Sequence, residues 1–511
     1  MNVPNVFKKQ TVTQAALLIA VIAFISKFFG FFREVLVANY FGATGLTDAF
    51  LVALLIPGLI LRLVGEGFTT LVIPFYLERK AKGFEVAKRF VNSTLTVWGS
   101  IFIFLSLLIL IFAPACVHLV AYGLKGEHFS LAVTLTRYLV IFGLFTVLAG
   151  IFTGLFQAEK QFLYPTLISF IGNIAIVLCL YFLHRNLGIN SWTVGQNISA
   201  IILFFTMFLV LYRRYGFFHS LGFHQVDWHE IREFALLLFP LVISSGLSTI
   251  NQVVDKTIAS GLDPGSIAAL NFSARVWNIP LSLLAVPIAT AIFPTFSELA
   301  LNGSARVEYE SRLEKTLGVS FYLMISSTFF LFFLSEPIVR LFFERGAFNP
   351  QATALTSFVN KMYVIGLFAH ATSPIMAKVF YSFKNTTTPL VISAVCVGLN
   401  IILNILLSKI FGAGGIALAT SVVMIVNFIL YTVYLKKYMN PFPRRLATET
   451  VKIILSSIPI GIVCYFSLPY FQNTSAASLN GFISLAIKVA VVGIISVVPL
   501  FALSRAFKLE S

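Results

Sequence analysis

The sequence predicts an all-α polytopic membrane protein of about fourteen spans, arranged as two pseudo-symmetric six-helix lobes followed by two further helices. Three observations predict it. Of the 511 residues, 58% are hydrophobic and only 11% are charged. Water-soluble chains carry roughly 25% charged residues, so this chain cannot cover a water-facing surface of its size. The mean hydropathy is +0.92, and the apolar stretches are continuous over 20 residues and more. A porin-type barrel would instead show alternating segments of about 10 residues. Finally, the charges fall between the apolar stretches in a regular alternation.

Taken in order, the first two spans are expected at 12–40 and 47–77, with no Lys or Arg between Asn39 and Thr47. The cluster Arg79, Lys80, Lys82, Lys88 and Arg89 separates them from spans at 91–122 and 130–156. Spans at 163–184 and 191–212 end at Arg213 and Arg214. Spans at 231–261 and 266–298 enclose another Lys- and Arg-free turn and end near Arg306 and Arg312. Four more, at 314–343, 353–382, 388–410 and 414–436, lead to Lys436, Lys437, Arg444 and Arg445. The last two, at 449–470 and 480–504, end at Arg505 and Lys508. Lys125, Arg185 and Arg345 are isolated exceptions. Basic loops stay on the cytoplasmic side, which places both termini there and assigns much of the formal charge of +16 to orientation rather than to nucleic acid. The first span is too long for a cleavable signal peptide.

Several chemistries are not encoded. The four cysteines (Cys116, Cys179, Cys396 and Cys464) form no CxxC pair and read as packing residues. The seven histidines show no metal spacing, and no GxxxxGK[ST] loop is present. A membrane-embedded glycosyltransferase would need an acid pair or metal ligands beside a sizeable aqueous loop. In the longest cytoplasmic loop, Arg213–Glu233, His219, His224 and His229 have no matching acid constellation.

An internal repeat organises the chain. Residues 45–78 and 265–298 align without a gap at an offset of 220, matching Gly45 with Gly265, Ala49 with Ala269, Thr70 with Thr290, Pro74 with Pro294 and Glu78 with Glu298. Phe156 and Pro165 match Phe380 and Pro389 at an offset of 224. Six helices per half makes this a parallel repeat about the membrane normal. The expected divisions are 1–225, 226–440 and 441–511.

Charges inside spans are costly and need a partner or a watery cavity. The first two spans carry Lys27, Arg33, Glu34, Asp48, Arg62 and Glu66. Asp48, Leu55 and Arg62 share one helical stripe, and the repeat sets Arg275 opposite Leu55. Cations from both halves would then face one cleft, and guanidinium groups bind phosphate oxygens bidentately. A local i,i+4 ion pair between Arg62 and Glu66 is the competing reading. It leaves Arg275 unexplained, because no acid lies within a turn of it. A second polar set is Asp255, Asn400, Asn404 and Thr420. Its oxygens would suit a hard cation such as Na⁺, and they would equally serve as interhelical hydrogen bonds.

These residues carry a resemblance. Residues 26–34 (SKFFGFFRE) resemble the SRxxGxxRD run of the MurJ (MviN) family, and residues 41–50 resemble the segment after it. Residues 65–68 with Pro74 resemble its AEGAFxxAFVP stretch. Ser273, Ala274 and Arg275 with Pro280 and Pro294 resemble its eighth-helix motif, and residues 380–389 its FYxxxDTxTP loop. The resemblance implies a lipid II flippase of the multidrug/oligosaccharidyl-lipid/polysaccharide exporter superfamily. It implies alternating access around a cationic cavity that holds a pyrophosphate, with a lipid groove on the last two helices. Lipid II and membrane lipids would be the partners, together with the cell-wall synthesis machinery, and the bacterial inner membrane the location. The family's essential arginines carry over to Arg33 and Arg275. Lys27 stands for an earlier arginine, Leu61 beside Arg62 replaces one of a pair, and Ala274 replaces an acid. The resemblance also places a sodium site at Asp255, Asn400, Asn404 and Thr420, with Asn404 where an acid is expected. A flippase for another polyprenyl-pyrophosphate saccharide and a drug exporter are the alternatives. The basic residues argue against the latter.

Overall fold

The computed structural model describes residues 12–60, 66–217, 222–301, 306–438, 444–472, 474, 476 and 478–506. They form α1 (Val12–Phe41), α2 (Gly45–Ile60), α3 (Glu66–Lys82), α4 (Phe84–Ile111), α5 (Ala113–Val120), α6 (Gly126–Ala158), α7 (Leu163–Leu187) and α8 (Asn190–Tyr215). Then follow α9 (Trp228–Ala259), α10 (Ser266–Pro280), α11 (Val286–Leu301), α12 (Arg306–Phe333), α13 (Ser335–Phe343), α14 (Pro350–Val364) and α15 (Leu367–Ser382). The chain ends with α16 (Thr387–Phe411), α17 (Ala413–Leu435), α18 (Arg444–Ser467) and α19 (Leu479–Ala506). Ten of the described helices are long and apolar enough to cross a membrane, or eleven if the bent pair α14–α15 counts as one. The protein is a multi-pass membrane protein.

Several expected spans are broken, each for a local reason. The span expected at 91–122 stops at Phe112, because Pro114 in the first turn of α5 has no N–H for the preceding turn. The span expected at 314–343 stops at Leu334, where Pro337 likewise cannot donate to the carbonyl four residues back. The span expected at 266–298, by contrast, runs on as one crossing helix, Ser266–Ala300, through a π-helical turn at Leu281–Ala285. Residues 61–65 of the span expected at 47–77 lie outside the described residues.

The backbone carries the repeat much further than the sequence alignment did. Among the described residues only two non-glycines have positive φ, Lys160 (58°) and Lys384 (57°), and they are 224 positions apart. Such conformations are uncommon for non-glycines, so their recurrence is informative. In both turns the next N–H closes on an aromatic residue's carbonyl: Gln161 on Phe156 at 2.8 Å and Asn385 on Phe380 at 3.0 Å. Gly188 (52°) and Gly412 (57°) repeat the same offset, and Gly126 (55°) and Gly346 (57°) an offset of 220. The breaks at Phe112 and Leu334 share one conformation, with φ −93° and ψ 19° and 15°.

The chain divides into two compact units. One holds the residues up to Val37 with Ala49–Val253, and the other holds Ala38–Asp48 with the residues from Val254 onward. The first has an aromatic core in which Phe68, Phe75, Phe90 and Phe234 interlock across α3, α4 and α9. The core of the second gathers Phe296, Tyr309, Phe321, Phe380 and Tyr431 from α11, α12, α15 and α17. In the second unit, cations close off the 3₁₀ turn Leu468–Phe471 that follows α18. Arg340 donates to the Phe471 carbonyl at 2.9 Å and Lys488 to that of Tyr470 at 2.7 Å, satisfying groups that a helix end leaves unpaired.

Candidate functional site

Arg33 is the most thoroughly positioned cation of the predicted set. Its Nη2 lies 2.9 Å from Glu34 Oε1, and its Nη1 donates to Asn173 Oδ1 of α7 at 3.4 Å. Asn173 in turn donates to Ser26 Oγ at 3.1 Å, so two residues of α1 hold the amide that orients the guanidinium. Arg33 keeps 17% of its side chain exposed, against 2% for Glu34. Its Nε is buried without a hydrogen-bond partner among the described residues. Lys27 is exposed on the same helix. Arg62 lies outside the described residues, as does the side chain of Glu66, the first residue of α3.

Asp48 serves the backbone. Its Oδ2 accepts the Gly265 N–H at 2.6 Å and its Oδ1 the Ala268 N–H at 2.7 Å. It therefore supplies the cap that α10 lacks from its own Gly265. These two N–H groups belong to the repeat counterparts of Gly45 and of Asp48 itself. Three glycines with positive φ surround this junction and leave no room for a Cβ. At Gly42 one would meet the Ala347 carbonyl oxygen at 2.4 Å, at Gly265 that of Ala43 at 2.3 Å, and at Gly346 that of Asn39 at 2.2 Å. The Ala347 N–H closes the junction on Asn39 O at 2.8 Å. The helix so anchored carries Arg275, whose side chain is exposed.

The second polar set is partly brought together. Asn404 Nδ2 donates to Asp255 Oδ1 at 2.7 Å and to Asn400 Oδ1 at 2.9 Å. Asn404 Oδ1 is buried and has no partner among the described residues. Thr420 spends its hydroxyl on the Ile416 carbonyl, 3.1 Å away. No group of three or more His, Cys, Asp or Glu side chains gathers as a metal cluster among the described residues.

Three positions escaped the sequence reading. Asn173 is a lone amide in an apolar span. Lys378 is one of two lysines, with Lys361, in the span expected at 353–382, and it donates to the Ala289 carbonyl at 2.8 Å beside Thr290 Oγ1. An inventory of intramembrane polar residues over all spans would have flagged both. Arg79 read as an orientation charge, yet only 5% of its side chain is exposed. It stacks over Phe75 and Phe90 at 4.5 and 5.4 Å and pairs with Glu78, Glu230 and Glu233 at 3.0–3.1 Å. The acids at Glu230 and Glu233 in the first turns of α9 were the available signal.

The described residues form an all-helical polytopic membrane protein with buried polar sets on its helices. Its fold is that of the MOP superfamily. An inward-facing multidrug resistance MATE family transporter of that superfamily superimposes with a TM-score of 0.64 over 85% of this chain and 98% of the other, at 12% identity. A solved lipid II flippase MurJ, in an inward closed conformation, superimposes with a TM-score of 0.81 over 96% and 98% of the two chains, at 27% identity. The MurJ protein of Rickettsia prowazekii (strain Madrid E) is 26% identical over 472 residues, covering 91% of this chain and 92% of its own. The lipid II flippase MurJ of Thermosipho africanus (strain TCF52B) is 29% identical over 454 residues, covering 89% and 90%. The profile of the lipid II flippase MurJ family matches residues 37–486. The chain belongs to this family, which is one of transporters rather than catalytic enzymes.

Proposed function

We propose that the protein moves lipid II from the cytoplasmic to the periplasmic leaflet of the bacterial inner membrane by alternating access. Family membership across residues 37–486 carries this reading. Arg33 supplies the chemistry. Its guanidinium is held by Glu34 and Asn173 within a membrane helix, so its orientation costs little on binding a diphosphate. Arg275, Lys27 and Arg62 complete the cationic set, with Glu34 and Glu66 as orienting acids. Asp48 acts at one remove, by fixing the first turn of the helix that bears Arg275.

The finer arrangement belongs to the same proposal. It comprises fourteen spans with both termini cytoplasmic, and lobes at 1–225 and 226–440. The pair at 441–511 would lie along the substrate's lipid tail, and the cell-wall synthesis machinery would receive the product. Sodium is the proposed coupling ion. The two N–H groups of Asn404 now occupy the Asp255 and Asn400 oxygens that a cation would draw in. Turned over, the amide would offer its unpartnered Oδ1 as a further ligand, and a hard cation suits such an oxygen set.

The test is complementation of a strain depleted of its own flippase, with binding of purified protein to lipid II and to other polyprenyl-pyrophosphate lipids measured alongside. Growth should be lost with Arg33→Ala and with Arg275→Ala at normal protein levels. Full growth with both variants would defeat the proposed site, and equal affinity for all the lipids would defeat the assignment to lipid II.

A further inference from the structure

The repeat sets two gripped turns in register, one in each half of the sequence. In the second unit, α14 and α15 meet at a 46° bend around Ile365 and Gly366. There the Gly366 N–H turns to the Tyr363 carbonyl, three residues back, at 3.2 Å. The Ser421 hydroxyl of α17 reaches the carbonyls of Met362 at 2.7 Å and Tyr363 at 2.9 Å. The backbone of α17 comes so near that a Cβ on Gly366 would stand 2.6 Å from Ser421 Cα. A side chain entering the i→i−4 ladder is a recognised cause of helix kinks.

Subtracting the offset of 224, which Lys160/Lys384 and Gly188/Gly412 share, carries Met362, Gly366 and Ser421 to Tyr138, Phe142 and Asn197. In the first unit these three residues also engage one another. Asn197 of α8 donates to the Tyr138 carbonyl at 3.0 Å and accepts the Phe142 N–H at 3.0 Å. Those are the two groups that this turn of α6 would otherwise pair with each other. Yet α6 runs on as one helix from Gly126 to Ala158. Backbone groups freed inside a bilayer are tolerated only where another partner takes them up. The Asn197 carboxamide, with a donor and an acceptor, matches that need.

We propose that the Tyr138–Phe142 turn of α6 is a hinge, the counterpart of the bend at Gly366, and that it opens during transport with Asn197 holding both freed groups. This rests on the reading of the protein as an alternating-access transporter. It adds which helix bends and where.

The experiment uses the full chain with its four cysteines replaced, spin-labelled at exposed Ser130 on α6 and Leu209 on α8, in nanodiscs with and without lipid II. The arm from Ser130 to Val140 is about 15 Å long. Bending it by the 46° seen in the other half moves its end by about 12 Å, which shifts the label distance by several ångströms. We expect two distance populations. Asn197→Leu should abolish the shifted one and slow transport several-fold with lipid II affinity unchanged. Phe142→Gly, which copies the residue of the bent half, should enrich it. A single distance under all conditions in all three proteins overturns the hinge, as does a wild-type distribution and rate in Asn197→Leu. If another lipid were the cargo, both populations would persist without responding to lipid II, which separates failure of the substrate assignment from failure of the hinge.

Discussion

Replacing Asp48 by alanine removes both acceptors from the first turn of α10. The N–H groups of Gly265 and Ala268 are then left buried beside a side chain 4% exposed in the native protein. A buried donor without a partner costs about 1–3 kcal/mol, so the pair should cost about 2–4 kcal/mol after partial relaxation. Loss of an N-cap alone is worth about 0.5–2 kcal/mol, so the larger figure reflects the second bond and the burial. Asp48→Asn keeps one oxygen acceptor and turns an NH₂ toward the other N–H, and should lose about half as much. Domains of 150–250 residues shift by roughly 2–4 °C per kcal/mol. Thermal unfolding of the purified protein should therefore fall by roughly 4–16 °C for Asp48→Ala and by less for Asp48→Asn. An alanine variant that melts within about 1 °C of wild type would refute the capping role, as would an asparagine variant less stable than alanine.

Three further expectations can be checked alongside. Gly346→Ala and Gly126→Ala share nearly the same φ, but a Cβ meets the Asn39 carbonyl only at Gly346 and open space at Gly126. The former should cost about 2–4 kcal/mol and the latter about 1, compared by their unfolding midpoints. The exposed Glu78 carboxyl is held below its ordinary range by the hydrogen bond from Lys82 and then by the Arg79 charge. Its contribution is present at neutral pH and is lost as pH drops through that lowered value. Lys82→Met should therefore flatten the acid limb of a melting-temperature profile, and an unchanged limb would contradict the pairing. Asn404→Asp puts a second carboxylate beside Asp255 and should lower the sodium concentration needed for thermal stabilisation by about tenfold or more, equivalent to about 1.4 kcal/mol. Asp255→Ala should abolish the sodium response.

The helices were legible because long apolar stretches leave no other structure possible in lipid. Their interruptions were not, since Pro114 and Pro337 act only once the register of the preceding turn is known. The repeat was visible at 45/265 and 156/380, where side chains match. It was invisible at Lys160/Lys384 and Gly126/Gly346, where what recurs is a dihedral angle. Helical spacing put Asp48 and Arg62 on one stripe, and nothing in that stripe reveals that Asp48 reaches the N–H groups of residues more than 200 positions away. Arg33 and Glu34 were found as charges, while Asn173, which orients the arginine, looked like any single amide in a span. The trio Asp255, Asn400 and Asn404 was legible as a set, because three polar residues in apolar surroundings stand out. Thr420 joined it by residue type and in the fold turns to its own helix.

At Gly42 and Gly265 the surfaces that meet are peptide planes alone, and at Gly346 the Asn39 carboxamide stands beside its own backbone carbonyl. Such a seam cannot be loosened by degrees, since a glycine has nothing to trim, and every replacement at these three positions can only wedge it apart. Protein engineers seeking a gentler dial for this part of the molecule would have to work through the carboxylate at position 48.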